Sequence, residues 1–162
     1  RCSDMTAGLA RDLLAALAGL FGLGEVRLAP GERRRPRAGG AWAETGARAE
    51  DEACRHLTRA GYRLLCRNRA NAVGELDIVA MDRGVLVFVE VRSRRVDSPV
   101  LAEDTLTPAK RKTLARAAQL FARQHGFMGS ASRVDLVAVE FDAHGSPERV
   151  EHLRSIIDDL GR

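Results

Sequence analysis

The stretch that decides the fold is Gly74-Glu75-Leu76-Asp77-Ile78-Val79-Ala80-Met81-Asp82-Arg83-Gly84-Val85-Leu86-Val87-Phe88-Val89-Glu90-Val91-Arg92. Two runs rich in β-branched residues flank Asp82-Arg83-Gly84, which predicts a β-hairpin with strands over 75–81 and 85–92. Along the second run Val85, Val87, Val89 and Val91 share one face, while Leu86 and Phe88 begin the other, which ends in Glu90 and Arg92. A strand apolar on both faces belongs in the middle of a covered sheet. A carboxylate and a guanidinium at its end are costly to desolvate without partners. A turn centred on Asp82-Arg83 sets Asp77 opposite Phe88, and one centred on Arg83-Gly84 sets it opposite Glu90. Either register leaves Asp77 on the face of Glu90 and Arg92, whereas a slip of one residue would separate them.

Outward from the hairpin, Thr45 is placed to cap a helix over about 46–60, with Ala53, Leu57 and Ala60 inside and Gly61 as its stop. Tyr62 to Cys66 is expected to be a strand and 67–74 a polar connection. Ser93 to Asp104 is expected to be a loop. Pro108 opens a second helix reaching about His125, with Leu114, Ala117, Ala118 and Phe121 on its apolar side. Val134 to Phe141 is a further strand, followed by a turn over 142–147, a short strand near 150–153 and a terminal helical turn. The fold class is therefore α/β.

The chain has 162 residues, 45% apolar and 30% charged, which suits one ordinary domain and excludes a wholly disordered or membrane-embedded chain. The apolar run Leu13 to Leu23 is too short to span a bilayer, so no membrane partner is expected. Residues 1–44 differ in composition from the rest, and the stretch 30–40 is rich in Pro, Gly and Arg. They read as a disordered or weakly helical extension rather than a signal peptide, ahead of a domain over 45–162. Three cysteines, Cys2, Cys54 and Cys66, without CxxC spacing, argue against a disulfide framework or a zinc ribbon and for a reducing cytoplasm. The histidines His56, His125, His144 and His152 have unrelated spacings and read as surface or packing residues. No glycine-rich phosphate loop follows a strand, which argues against an NTPase or a dinucleotide enzyme.

Charge adds a partner. The chain carries 26 Lys and Arg against 22 Asp and Glu, a net charge of +4. Between Thr107 and Gly126 stand Lys110, Arg111, Lys112, Arg116 and Arg123 with no acidic residue. A positive helix of this kind fits a phosphodiester backbone without reading its sequence, and it also fits a plain solvated face. Aromatics are only 4%, which argues against a protein that holds single strands by stacking bases.

The acids can be read two ways. On the first helix Glu50 precedes Ala53 by three residues and Leu57 by seven, so it leans toward the inner face. Clustered carboxylates need a proton, an arginine or a divalent cation, and hard oxygen donors without His or Cys select Mg²⁺ or Mn²⁺. The other reading is an ion-pair network of Asp77 and Glu90 with Arg92, and Glu50 as an ordinary first-turn acid favoured by the helix dipole.

Several pieces in order resemble the YraN family of bacterial proteins. They are Gly46-x-x-x-Glu50-x-x-Ala53-x-x-x-Leu57, Gly61-Tyr62, the polar Arg67-Asn68, Gly74-Glu75-Leu76-Asp77-Ile78-Val79, Val87-Phe88-Val89-Glu90-Val91-Arg92, Thr107-Pro108-Ala109-Lys110-Arg111 and Arg133-Val134-Asp135-Leu136-Val137. That family is similar to the PD-(D/E)XK nuclease superfamily. The resemblance implies a restriction endonuclease-like core, a mixed sheet with a central hairpin flanked by helices. It implies that Asp77 and Glu90, with the carbonyl of Val91, hold Mg²⁺ or Mn²⁺, with Glu50 as the helix glutamate, for phosphodiester hydrolysis on structured or damaged DNA. The third position of the E-x-K element is Arg92 here. Arginine stays charged and cannot serve as a base, though it can orient a phosphate. Lys110 is the candidate to supply the missing ammonium, and Lys110, Arg111, Lys112 and Arg116 the candidates to contact nucleic acid. A non-catalytic nucleic-acid-binding or adaptor protein that keeps the nuclease fold is the alternative.

Overall fold

A computed structural model describes residues 40–158 and residue 160, with the side chains of 40–44 and 158 left undescribed. The extension expected over 1–44 lies outside the described residues up to position 39. The elements run α1 (Gly40–Arg59), β1 (Arg63–Ala70), β2 (Glu75–Asp82), β3 (Val85–Arg95), a short 3₁₀ turn (Glu103–Thr105), α2 (Pro108–Gln124), β4 (Ser132–Phe141) and β5 (Pro147–Asp158). The five strands form one sheet in the order β1-β2-β3-β4-β5. Neighbours are antiparallel except β3 and β4, which are parallel because α2 carries the chain back between them.

β3 is the middle strand, and its two faces take different partners, as its alternation requires. Val87, Val89 and Val91 pack with Ala49, Ala53 and Leu57 of α1 and with Val137 and Val139 of β4. Leu86 and Phe88 pack with Ala117, Ala118 and Phe121 of α2. Phe88 and Phe121 meet edge to face with centroids 5.7 Å apart. The sheet is thus covered on both faces, a mixed α/β layout compatible with the restriction endonuclease-like fold. Leu114, Ala117, Ala118 and Phe121 are all buried, and Thr107 caps α2 by accepting the backbone N–H of Lys110 at 3.2 Å.

Four boundaries differ from expectation. α1 starts at Gly40, so Thr45 lies within it rather than at its N-cap. The run Ala41 to Glu44 holds no helix breaker, and the Gly39-Gly40 pair is a better punctuation than Thr45. β1 runs on through Arg67-Asn68-Arg69-Ala70, because these residues pair with Glu75 to Ile78 and so gain ladder hydrogen bonds that their polarity does not advertise. β3 extends to Arg95 along β4. β5 is a 12-residue strand, and the stretch through Asp158 that was expected to turn helical stays extended. It does so across a bulge at Ser155, whose φ of 55° lies in the left-handed region and whose N–H is taken by Asp135 at 2.9 Å.

The hairpin register is fixed by its turn. Asp82 pairs with Val85, leaving a two-residue loop of Arg83 (φ 48°) and Gly84 (φ 87°), the signs of a type I′ turn. Gly84→Ala meets no atom within 4 Å, so its cost is purely conformational. Thermal or urea unfolding should show a loss of about 1–2 kcal/mol with an unchanged m-value. A larger loss would mean that the turn contributes packing as well.

Candidate cation and phosphodiester site

The same register places Asp77 across from Glu90, but the ladder between β2 and β3 stops at Ile78 and Val89. Beyond it β2 continues only with β1, and β3 only with β4, as far as Arg95 and Phe141. The sheet forks there. The fork leaves the N–H of Val91 without a ladder partner, and Asp77 Oδ2 accepts it at 2.8 Å. A side chain has replaced a strand carbonyl, which pins one carboxylate at the mouth of the fork.

Glu90 lies deeper and is 1% exposed. Its Oε1 is 2.5 Å from Arg92 Nη1 and 3.1 Å from Lys110 Nζ. Its Oε2 is buried with no hydrogen-bond partner. Arg92 Nη1 also donates to the carbonyl of Val91 at 3.3 Å. Lys110 reaches the site because Pro108 and Thr107 start α2 at the end of the sheet where the fork opens. Burial, then the charge of Glu90, pushes the Asp77 carboxyl up to about 7, while the Val91 N–H and Lys110 pull against that rise.

The structure therefore brings together Asp77, Glu90, Arg92 and Lys110. Glu50 stands further out. It faces β1, with its carboxylate 3.7 Å from Arg67 and hydrogen-bonded to Asn68. Burial raises its pKa, Asn68 and Arg67 oppose the rise, and its own charge adds to that of Asp77. Among the described residues, no three His, Cys, Asp or Glu side chains gather as an ion-holding group. The site is two carboxylates flanked by two cations, rather than three carboxylates. Its donor chemistry fits a hard cation all the same. Glu90 presents an orphaned buried oxygen, Asp77 a carboxylate whose pKa burial and then Glu90 raise, and Mg²⁺ keeps several of its own waters.

The basic helix divides. Lys112 and Arg116 are exposed. Arg111 is half-buried and donates to the backbone carbonyls of Ile156, at 2.7 Å, and Leu106, so it ties α2 to β5. The two described cysteines are poor nucleophiles, since burial pushes Cys54 up to about 11 and Cys66 to about 12.

A second polar network was not foreseen. Asp135 is fully buried on the α1 side of β4, where it meets Arg133 Nε at 2.9 Å and His152 Nε2 at 3.0 Å. Arg133 also donates to Tyr62 Oη at 3.0 Å and to Asp82 at 2.8 Å. The acid within a largely apolar strand was the available signal, but its partner His152 lies on β5, and Tyr62, which meets Arg133, lies between α1 and β1. On the opposite face Arg94 joins the buried Glu140 and donates to the carbonyl of Val100 at 2.8 Å, which fastens the loop after β3.

A five-stranded mixed sheet covered by helices on both faces makes the molecule an α/β protein whose layout is compatible with the restriction endonuclease-like fold. Within that class the chain belongs to the Uncharacterised protein family UPF0102, which matches residues 49–139 and so spans every residue of the fork. It is 40% identical to a UPF0102 protein of Pelotomaculum thermopropionicum over 110 residues, 68% of this chain and 92% of that one. A UPF0102 protein of Anaeromyxobacter dehalogenans is 42% identical over 72% of this chain and 86% of its own length. One from Roseiflexus castenholzii is 38% identical over 74% and 93%. No described helix is long and apolar enough to cross a membrane.

Proposed function

We propose that the protein is a divalent-cation-dependent nuclease that hydrolyses phosphodiester bonds in structured or damaged DNA. The observation that carries this reading is the fork itself: Asp77 fixed by the Val91 N–H beside Glu90, whose Oε2 has no protein partner. Asp77, Glu90 Oε2 and the Val91 carbonyl would hold Mg²⁺ or Mn²⁺. A bound ion there would supply an activated water and neutralise charge on the phosphate. Arg92 would orient the phosphate and stabilise its developing charge. Lys110 brings the ammonium that the E-x-R element lacks, from a helix rather than from the strand. Glu50 would act at most through a water, given its contacts with Arg67 and Asn68.

Incubation with branched, single-stranded and duplex DNA in Mg²⁺ or Mn²⁺ tests the reading. Cleavage should require the ion and vanish in Glu90→Gln. One observation favours the adaptor reading as a second possibility: Glu90 Oε1 is already matched by two cations. DNA binding without ion-dependent cleavage would select it.

Under either reading the exposed cations of α2 would track the backbone. Lys112→Glu with Arg116→Glu should weaken binding to every sequence, roughly tenfold or more at low salt. It should also reduce the slope of log affinity against log salt by about two. Arg111 belongs to the fold, and its replacement should show first as a lower melting temperature.

A further inference from the structure

The two cations on Glu90 are held differently. Arg92 leaves the same strand two residues on, and its Nη1 has a second acceptor in the Val91 carbonyl. Lys110 arrives from α2 with a side chain that is 37% exposed. The cap of α2 uses the backbone N–H of Lys110, not its ammonium, so Nζ can leave Glu90 without loosening the helix. The four-carbon stem allows such a swing, and a guanidinium clamped by two acceptors does not share that freedom.

The electrostatics gives the swing a cause. Glu90 is fully buried and needs a counter-charge at all times. A divalent cation drawn to Asp77 and Oε2 of Glu90 would bring two positive charges beside an ammonium only 3.1 Å from Oε1. Like charges gathered on one carboxylate repel strongly even at an effective dielectric of about 20. Arg92 is the tighter-held of the pair, so Lys110 is the one that yields.

We infer that Lys110 is a displaceable internal counter-ion: it neutralises Glu90 in the cation-free protein, and a divalent cation entering the Asp77–Glu90 fork drives its ammonium outward, toward the position of an incoming phosphate. The inference rests on the fork being a cation site. It makes Lys110 and the cation competitors, and competition is reciprocal. The protein then exposes a phosphate-binding ammonium only once the cation is in place, which couples cation loading to engagement of an anionic substrate.

Two measurements without any cleavage assay test this. By calorimetry with Mn²⁺ alone, Lys110→Ala should bind the ion more tightly than the wild type, by roughly three- to thirtyfold. Lys110→Arg, which keeps a cation and the helix start, should stay near the wild type. The second measurement uses the fact that Lys110 and Lys112 are the only lysines in the chain. Acylation of amines followed by mass spectrometry therefore reports Lys110 against a built-in reference two residues away. Saturating Mg²⁺ should raise labelling of Lys110 relative to Lys112 about threefold or more, as an ion-paired amine becomes free. Equal or weaker Mn²⁺ binding by a folded Lys110→Ala, or an unchanged labelling ratio at a saturating ion concentration, would overturn the counter-ion role while leaving the cation site intact. Absence of any Mn²⁺ binding by the wild type would overturn both.

Discussion

Asp77→Asn should make the cation-free protein more stable at pH 8 while removing its response to Mn²⁺ and all cleavage. The Asp77 carboxyl is pushed up to about 7 in the fold, first by burial and then by Glu90, against about 3.9 in an unfolded chain. Between those values the folded state holds a proton that the unfolded state releases. Stability of the wild type therefore falls as pH rises from about 4 and levels off above about 7, by up to about 4 kcal/mol. Asparagine carries no charge and still offers an oxygen to the Val91 N–H, so the variant should lack that slope. Melting temperatures between pH 4 and 8, with and without Mn²⁺, check this. In the wild type Mn²⁺ should raise the melting temperature in proportion to occupancy, and in the variant it should not. A variant less stable than the wild type at pH 8, with no Mn²⁺ effect on either, would mean that Asp77 is needed as an ion-pair partner.

Asp135→Ala carries the second large effect, in the opposite direction. Burial pushes the Asp135 carboxyl up, but hydrogen bonds from His152, Arg133 and the Ser155 N–H outweigh it and hold the group below its ordinary range. Its removal strips a buried partner from Arg133 and His152 and uncaps the bulge in β5 at once. The expected loss is about 3–5 kcal/mol at neutral pH, a large part of the stability of an ordinary domain. Asp135→Asn keeps an acceptor for Ser155 and should lose less. With its folded pKa depressed, the contribution of Asp135 is complete above about 4 and fades as pH falls below that. The difference in urea stability between wild type and Asp135→Asn should therefore shrink toward pH 3. A constant difference would assign the effect to shape rather than charge.

The two acids show what each level of description decides. That Asp77, Glu90 and Arg92 share a face was legible in the sequence, because strand alternation is strictly local and a hairpin with a short turn admits few registers. The same holds for the apolar side of α2, where spacing named Leu114, Ala117, Ala118 and Phe121 and all four are buried. The β1 extension and the twelve residues of β5 were not legible, since polar residues enter edge strands through backbone pairing that side-chain pattern does not report.

Sequence alone thus determined the α/β class, the central hairpin and the family, since these follow from period, turn chemistry and motif order. Only the tertiary structure decided what the acids face. The fork between β2 and β3, Lys110 on Glu90, Glu50 turned to Arg67 and Asp135 joined to His152 and Arg133 all arise from strand splay and helix placement. Apart from Arg133 and Asp135, which stand two positions apart on one strand, those contacts join residues well separated along the chain. Their energies depend on distance and desolvation in three dimensions, which a one-dimensional pattern does not encode.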